Sequence, residues 1–171
     1  MNNIFANKGM YLEEVINRTI NYLLLHKIAY IEKRNVPFKI IKKVNDNFFL
    51  GKLIGKSTVD YIGTYKNKRW EFEAKEVDDI FNFANIKKHQ FIYLNNMLTY
   101  ENCICFIIVF VKQINKFYLI LFKTILDYKK SFKRNYMSIE ELNKFSYELK
   151  IVYPGILNLI ECMNKISQFQ E

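Results

Sequence analysis

The residues Arg69-Trp-Glu-Phe-Glu-Ala-Lys75 alternate between apolar and charged side chains. Successive side chains of a β-strand point to opposite faces of the sheet, so this alternation predicts a strand with two different faces. The apolar face consists of Trp70, Phe72 and Ala74, and the charged face consists of Glu71, Glu73 and Lys75. We therefore expect the strand to pack on a core with one face and to present Glu73 and Lys75 as neighbours on the other.

A further acid precedes this strand, in Thr58-Val-Asp60. Because Thr58 and Asp60 are two residues apart, we expect them to share one face of a strand of their own. Residues 58–75 predict a β-hairpin with a polar tip at 66–68, which would bring Asp60 close to Glu73. The alternative is that Glu73 and Lys75 are solvent-exposed charges on a strand surface.

An acid followed by Glu-x-Lys is typical of metal-dependent nucleases. Carboxylate oxygens suit Mg²⁺, which keeps several waters and takes one or two carboxylates together with a substrate phosphate. Such an ion lowers the pKa of a bound water and neutralises charge on the phosphate. Lys75 would then stabilise the extra negative charge of the transition state. The predicted catalytic residues are Asp60, Glu73 and Lys75.

Hydrophobic periodicity extends the α/β pattern along the chain. Helices are predicted at residues 9–27, at about 86–99, from residue 124, from the capping box 138–141, and at 156–169. Further strands are predicted at 28–33, 38–44, 48–54, 102–111 and 117–122. The order of these elements predicts an α/β fold: one domain over residues 1–171, in which a central mixed sheet is flanked by helices.

The chain has 171 residues, half of them apolar, and a formal net charge of +9. This charge favours a polyanionic partner, either nucleic acid or an acidic membrane surface. The alternative is AT-rich codon usage, which enriches lysine without a functional purpose. Basic residues concentrate between residues 31 and 56, and we expect a short basic stalk-like segment around residues 44–57. The candidate DNA-binding residues are Lys33, Arg34, Lys42, Lys43, Lys52 and Lys56.

The cysteines, the N-terminus and the longest apolar run indicate where in the cell the protein is located. Cys103, Cys105 and Cys162 lack the spacing of a zinc site, so we expect buried free thiols in a reducing cytosol. The N-terminus has no charged segment followed by an apolar one, so no secretory signal is evident. The longest apolar run, 103–111, is too short to cross a bilayer as a helix. A cytoplasmic protein without a membrane partner is expected.

Five short motifs occur in a characteristic order along the chain. They are Gly9-Met-Tyr-Leu-Glu13, Lys33-Arg34 with Pro37, Ser57-Thr-Val-Asp60-Tyr-Ile-Gly63, Phe72-Glu-Ala-Lys75-Glu76 and His89-Gln90. With the strand that follows, they resemble the RecU family of Holliday junction resolvases, which belong to the PD-(D/E)xK nuclease superfamily. The resemblance runs from about residue 8 to residue 165.

This resemblance implies a single restriction-endonuclease-like domain that forms a homodimer. The dimer is expected to bind four-way junction DNA and to make paired symmetric nicks with Mg²⁺, for which Mn²⁺ is expected to substitute. A recombinase is a further expected partner. Carried over by position, the metal-site residues are Thr58, Asp60, Glu73 and Gln90, with Lys75 as the transition-state stabiliser. Glu13 on the first helix is a possible accessory acid; the alternative is an ordinary first-turn acid favoured by the helix dipole.

The chain departs from the family pattern in three places. Asn35-Val36-Pro37 stands where Pro-Thr-Pro is usual, the stretch before Thr58 in which relatives build a stalk is short, and the loop between Lys75 and His89 differs in length. Two other functions therefore stay open. One is a nuclease of the same fold that acts on other branched DNA. The other is a non-catalytic, basic DNA-architectural or recombinase-partner protein.

Overall fold

The computed structural model of the chain describes residues 10–168. Its α-helices are α1 (Met10–Leu25), α2 (Lys88–Met97), α3 (Phe122–Phe132), α4 (Ile139–Phe145) and α5 (Leu159–Gln168). Residues 9 and 169, at which the sequence predicts the first helix to begin and the last to end, lie outside the described residues. None of the described helices is both long enough and apolar enough to cross a bilayer.

The β-strands are short except at the centre of the fold. They are β1 (Tyr30–Lys33), β2 (Phe38–Lys43), β3 (Phe49–Leu53), β4 (Tyr61–Tyr65), β5 (Lys68–Val77), β6 (Phe81–Asn82), β7 (Cys103–Val111), β8 (Lys116–Leu121), β9 (Tyr136–Met137), β10 (Tyr147–Leu149), β11 (Ile151–Val152) and β12 (Ile156–Leu157). Six of them form one sheet in the order β1-β4-β5-β7-β8-β10. Strands β5 and β7 run parallel and the other pairs antiparallel, which confirms the predicted mixed sheet flanked by helices.

The sheet buries two separate apolar cores, one on each face. Helices α1 and α5 cover one face, which we call the α1 face, and it receives Trp70 and Phe72 from β5. Helices α2, α3 and α4 cover the other, which we call the α2 face. On the α1 face the rings of Tyr61, Phe72 and Phe106 stack, with centroids 4.9 and 4.6 Å apart. The predicted alternation of β5 is therefore confirmed on its apolar side.

Strands β2 and β3 form a hairpin of their own, outside the main sheet. Every residue of both strands is exposed. The exposed apolar residues of this β2–β3 hairpin and its ends are Phe38, Ile40, Ile41, Val44, Phe48, Phe49, Leu50, Leu53 and Ile54. The predicted stalk-like segment, residues 44–57, covers the turn, β3 and the linker that returns to the domain. An exposed apolar surface of this extent is typical of a contact site for another molecule.

Several boundaries predicted from the sequence are wrong, most by about two residues. Residues 58–60 precede β4 and lie in irregular backbone, so Thr58 and Asp60 do not share a strand. Helix α3 begins at Phe122 rather than at residue 124, directly after β8. Residues 156–157 form β12 rather than the start of the last helix. The backbone N–H of Leu157 donates to Thr19 Oγ1 at 2.9 Å, and this contact with α1 replaces the helical hydrogen bond.

Replacing Gly63 by alanine is expected to lower the free energy of unfolding by about 2 kcal/mol or more, as overpacking of a close contact does. A Cβ on Gly63 would lie 2.6 Å from the Tyr30 carbonyl oxygen and 2.8 Å from Ile31 Cγ1. Denaturant unfolding measures the effect. Gly55→Ala is the matched control, because its Cβ would meet only Pro37 Cγ at 3.3 Å. Equal stability of the two variants would contradict the prediction.

Candidate active site

Three charged side chains meet on β5 and at the residue before β4. Oε1 of Glu73 accepts a hydrogen bond from the backbone N–H of Asp60 at 2.9 Å. Oε2 of Glu73 accepts a hydrogen bond from Lys75 Nζ at 2.7 Å, and the same ammonium lies 3.7 Å from Asp60 Oδ2. The structure therefore brings together the three residues that the sequence predicts as catalytic.

Asp60 reaches this site through tertiary contacts rather than through strand pairing. Its neighbour Val59 is fully buried in the core of the α2 face. The Asp60 carbonyl oxygen accepts a hydrogen bond from the Arg34 N–H at 2.8 Å, and Asp60 Oδ2 lies 3.4 Å from the Ala74 N–H. These contacts fix both the backbone and the carboxylate of Asp60 beside β5.

The interpretation of Glu73 and Lys75 as solvent-exposed charges is wrong. The Glu73 side chain is 0% exposed and that of Lys75 is 16% exposed. Burial, followed by the neighbouring Asp60 carboxyl group, raises the pKa of Glu73 to about 8, and Lys75 opposes this shift. A buried carboxyl group beside a second carboxylate favours its protonated form, so a cation that binds both groups would displace that proton.

The donor set fits a hard divalent cation. Asp60 and Glu73 supply carboxylate oxygens, and a cavity of about 780 Å³ opens beside Asp60. Within residues 10–168 no group of three or more His, Cys, Asp or Glu side chains is arranged to hold a metal ion. Two carboxylates and room for water match an ion that keeps several waters, as Mg²⁺ does, rather than a closed structural metal site.

Of the other two predicted metal-site residues, one lines this cavity and the other lines a neighbouring one. Gln90 is buried on the first turn of α2 and lines the cavity together with Asp60, so its interpretation as a surface amide is wrong. Its Oε1 accepts a hydrogen bond from the Lys87 N–H at 3.0 Å. Oγ1 of Thr58 is buried and has no hydrogen-bond partner among the described residues. Tyr93 on α2 interacts with this hydroxyl, and a bound ion or its water shell would supply a hydrogen-bond partner as well.

A second, smaller cavity of about 320 Å³ also borders Asp60 and includes Glu13, Lys33 and Glu76. Glu13 forms an ion pair with Lys33. Oε1 of Glu76 accepts a hydrogen bond from the Leu12 N–H at 2.8 Å, in the first turn of α1. The sequence assigns no role to Glu76; the signal that could have shown one is an acid directly after Lys75 and a helix whose first N–H groups need acceptors.

The candidate DNA-binding residues divide into two groups. Lys33, Arg34 and Lys56 line cavities at the site, with Lys56 bordering the cavity of Asp60. The β2–β3 hairpin carries Lys42, Lys43 and Lys52. Lys43 forms an ion pair with Asp46 at 2.7 Å at the hairpin turn.

A buried ion pair lies next to the site on the same face of β5. Oε1 of Glu71 accepts hydrogen bonds from Arg69 at 2.6 Å, and its Oε2 is buried without a hydrogen-bond partner among the described residues. The Glu71 side chain is 0% exposed, whereas half of Arg69 is exposed. Burial, followed by the charge of Glu71, raises the pKa of Tyr93 on α2. This pair therefore lies between β5 and the helix that carries Gln90.

Arg69→Met is expected to lower the free energy of unfolding by about 2 kcal/mol because it leaves the Glu71 charge buried and unpaired. This value is below that for a fully buried pair because half of the Arg69 side chain is exposed. The double variant Arg69→Met/Glu71→Gln should recover part of the loss in a double-mutant cycle measured by denaturant unfolding. Lys116→Met, which breaks an exposed pair with Glu148, is the control. A strictly additive double variant would refute the coupling.

Comparisons with known proteins assign a family to this arrangement. Residues 7–165 match the family model described as recombination protein U, RecU. A Holliday junction resolvase RecU of Ureaplasma parvum is 32% identical over 169 residues, which cover 98% of this chain and 96% of that protein. The protein of the same name from Mycoplasmopsis pulmonis is 34% identical, covering 92% of this chain and 94% of its own length. That of Bacillus cytotoxicus is 30% identical, covering 91% and 86%.

Proposed function

This chain belongs to the RecU family, and from that membership we propose that it is a Holliday junction-resolving endonuclease. It hydrolyses phosphodiester bonds of four-way DNA junctions in recombination and repair. The observation that carries this proposal is the contact of Asp60, Glu73 and Lys75 at one point beside an open cavity. The intact set of two carboxylates and a lysine argues against a non-catalytic DNA-architectural or recombinase-partner role.

We propose Mg²⁺ as the divalent ion, held by Asp60 and Glu73 with Thr58 and Gln90 beside it, and we expect Mn²⁺ to substitute. When bound, such an ion supplies positive charge at the scissile phosphate and lowers the pKa of a water. Lys75 is held within 2.7 Å of Glu73, so its ammonium is positioned before substrate arrives. It stabilises the negative charge that develops on the phosphate. Burial of Glu73 fixes the orientation of its carboxylate.

We also propose that the enzyme acts as a homodimer. A four-way junction has two-fold symmetry, so paired symmetric nicks need two active sites related by a two-fold axis. Twice the formal charge of +9 gives the dimer +18, and junction binding should weaken steeply with salt. The exposed apolar residues of α1 and of the β2–β3 hairpin are the proposed interface. Because the substrate is chromosomal DNA, we propose a cytoplasmic location and a recombinase as a further partner.

The proposed function is tested with a mobile synthetic four-way junction that is end-labelled on each strand in turn. Wild-type protein is incubated with and without Mg²⁺, and linear duplex and flap DNA of equal length are offered in parallel and as competitors. We expect nicks at symmetric positions on opposite strands of the junction, only when Mg²⁺ is present. Preferential cutting of the flap or the duplex would show a nuclease for other DNA. Tight binding without nicks in Mg²⁺ or Mn²⁺ would support the architectural function.

A further inference from the structure

The start of helix α2 forms a ridge with a depression on each side. The depression on one side, of about 780 Å³, contains Asp60 and Gln90. The depression on the other side, of about 720 Å³, lies between the segment 82–86, helix α2 and Lys129 of helix α3. Lys88 and Ile92 line both depressions and therefore form the ridge between them. The second depression, here called the α2–α3 depression, contains none of the catalytic residues.

The charge of this region is strongly positive. Lys87 and Lys88 line the catalytic depression, and Lys88 and Lys129 line the α2–α3 depression. None of these three lysines forms an ion pair with a carboxylate of the described residues, and no acid lines the α2–α3 depression. Some lysines elsewhere on the described surface are paired, such as Lys112 with Asp78 and Lys116 with Glu148, and others are not. The ridge and its far side therefore keep positive charge available for an anionic partner.

The Lys129 side chain is also held in place before any partner binds. Its Nζ lies 5.1 Å from the centroid of the Phe91 ring, and Phe91 packs edge-on against Phe122 at 5.0 Å. A cation–π contact orients an ammonium group without neutralising its charge. Because the side chain is half-buried and already ordered, less conformational entropy is lost when it binds a phosphate.

We propose that the α2–α3 depression binds the sugar–phosphate backbone of a DNA arm whose scissile strand lies in the catalytic depression. The inference rests on the proposed function and adds to it a second contact region. Lys88 on the ridge contacts the backbone between the two depressions, and Lys129 contacts it on the far side. Charge complementarity selects the occupant, because phosphates are the anions that junction DNA presents next to a bound scissile bond.

The first test measures junction affinity over a range of salt concentrations in an Asp60→Asn background, so that cutting does not interfere. Each phosphate contact that is lost should make the negative slope of log K against log salt shallower by about 0.9. The double variant Lys88→Gln/Lys129→Gln should make it shallower by about twice that amount. Lys66→Gln/Lys165→Gln is the control of equal charge. Lys165 lies on α5, on the opposite face of the sheet, where it pairs with Glu161, and Lys66 donates to Asn164 of the same helix. Lys129→Arg should keep the slope. Equal slopes for the double variant and the control would overturn the proposal.

The second test locates the contact on the DNA. A series of junctions carries one neutral methylphosphonate each, at successive positions along each arm. Their affinities are measured for the Asp60→Asn protein with Lys129 intact and for the same protein with Lys129→Gln. We expect at least one position at which the neutral linkage weakens binding several-fold with Lys129 and leaves it unchanged with Lys129→Gln. Additive effects at every position, or tighter binding of an acidic peptide than of DNA, would overturn the proposal. These measurements read binding and the nicking assay reads cutting, so the two hypotheses fail independently.

Discussion

Asp60→Asn will abolish cutting of a four-way junction while leaving the affinity for the junction within a few-fold of wild type. The expected loss of cutting is at least about 10³-fold, since the substitution removes a charged group on which transition-state stabilisation depends. The side chain keeps its size and can still occupy the position beside the Ala74 N–H. The fold and the basic surface are therefore unchanged, and only the site loses its negative charge.

The measurement pairs a single-turnover cutting assay with a binding assay on the same junction. Asp79→Asn makes the same chemical change at an exposed acid whose carboxylate accepts a hydrogen bond from the Ile80 N–H, and it should cut normally. Glu73→Gln should behave like Asp60→Asn. If Asp60→Asn lost binding at ordinary salt, Asp60 would be part of the DNA-binding surface instead, and the proposed division of roles would be wrong.

Phe72→Ala will lower the free energy of unfolding by about 3–5 kcal/mol, as other buried aromatic residues do when truncated. Phe72 is fully buried and stacks between Tyr61 of β4 and Phe106 of β7. Its removal opens a cavity that spans three strands of the sheet. A loss of this size is a large share of the 5–15 kcal/mol by which a typical domain is stable. A fraction of the molecules should therefore be unfolded near physiological temperature.

Denaturant unfolding followed by circular dichroism measures this loss. Tyr100→Ala is the control, because Tyr100 is 63% exposed just after α2 and its truncation leaves no cavity in the core. Because Phe72 lies between Glu71 and Glu73 on β5, unfolding of the strand also disrupts the active site. Cutting, measured at reduced temperature, should therefore fall in proportion to the folded fraction. Equal stability of the two alanine variants would show that the aromatic stack does not hold the central strands together.

The sequence predicts the central strand because it depends on local alternation, and it predicts the meeting of the catalytic residues because a short hairpin separates them. The side chains of β5 divide between the two faces as a two-residue period requires. The hairpin of β4 and β5 has a two-residue turn, with Tyr65 opposite Lys68, so the chain that leads into β4 lies beside β5. Hydrogen bonds with Glu73 and Ala74 then hold Asp60 at the site. The order of the elements along the chain, which is helix, strands, helix and strands, is sufficient to predict the α/β class.

Features that depend on contacts distant in the sequence could not be predicted in this way. The irregular backbone at Asp60 results from its hydrogen bond with the Glu73 side chain rather than with a neighbouring strand. The strand at 156–157 depends on Thr19, which is 138 residues away from Leu157 in the sequence. Each of these depends on a partner that no local pattern identifies.

The position of Trp70 gives the protein a built-in optical probe. It is the only tryptophan of the chain, is fully buried, and lies on the α1 face with the rings of Tyr65 and Phe106 around it. Its fluorescence will therefore report unfolding of the core, whereas DNA bound on the α2 side of the sheet will leave the emission spectrum unchanged. Stability can thus be followed optically in the presence of junction DNA, and the shift of the unfolding midpoint with DNA concentration will give the affinity without any label on either molecule.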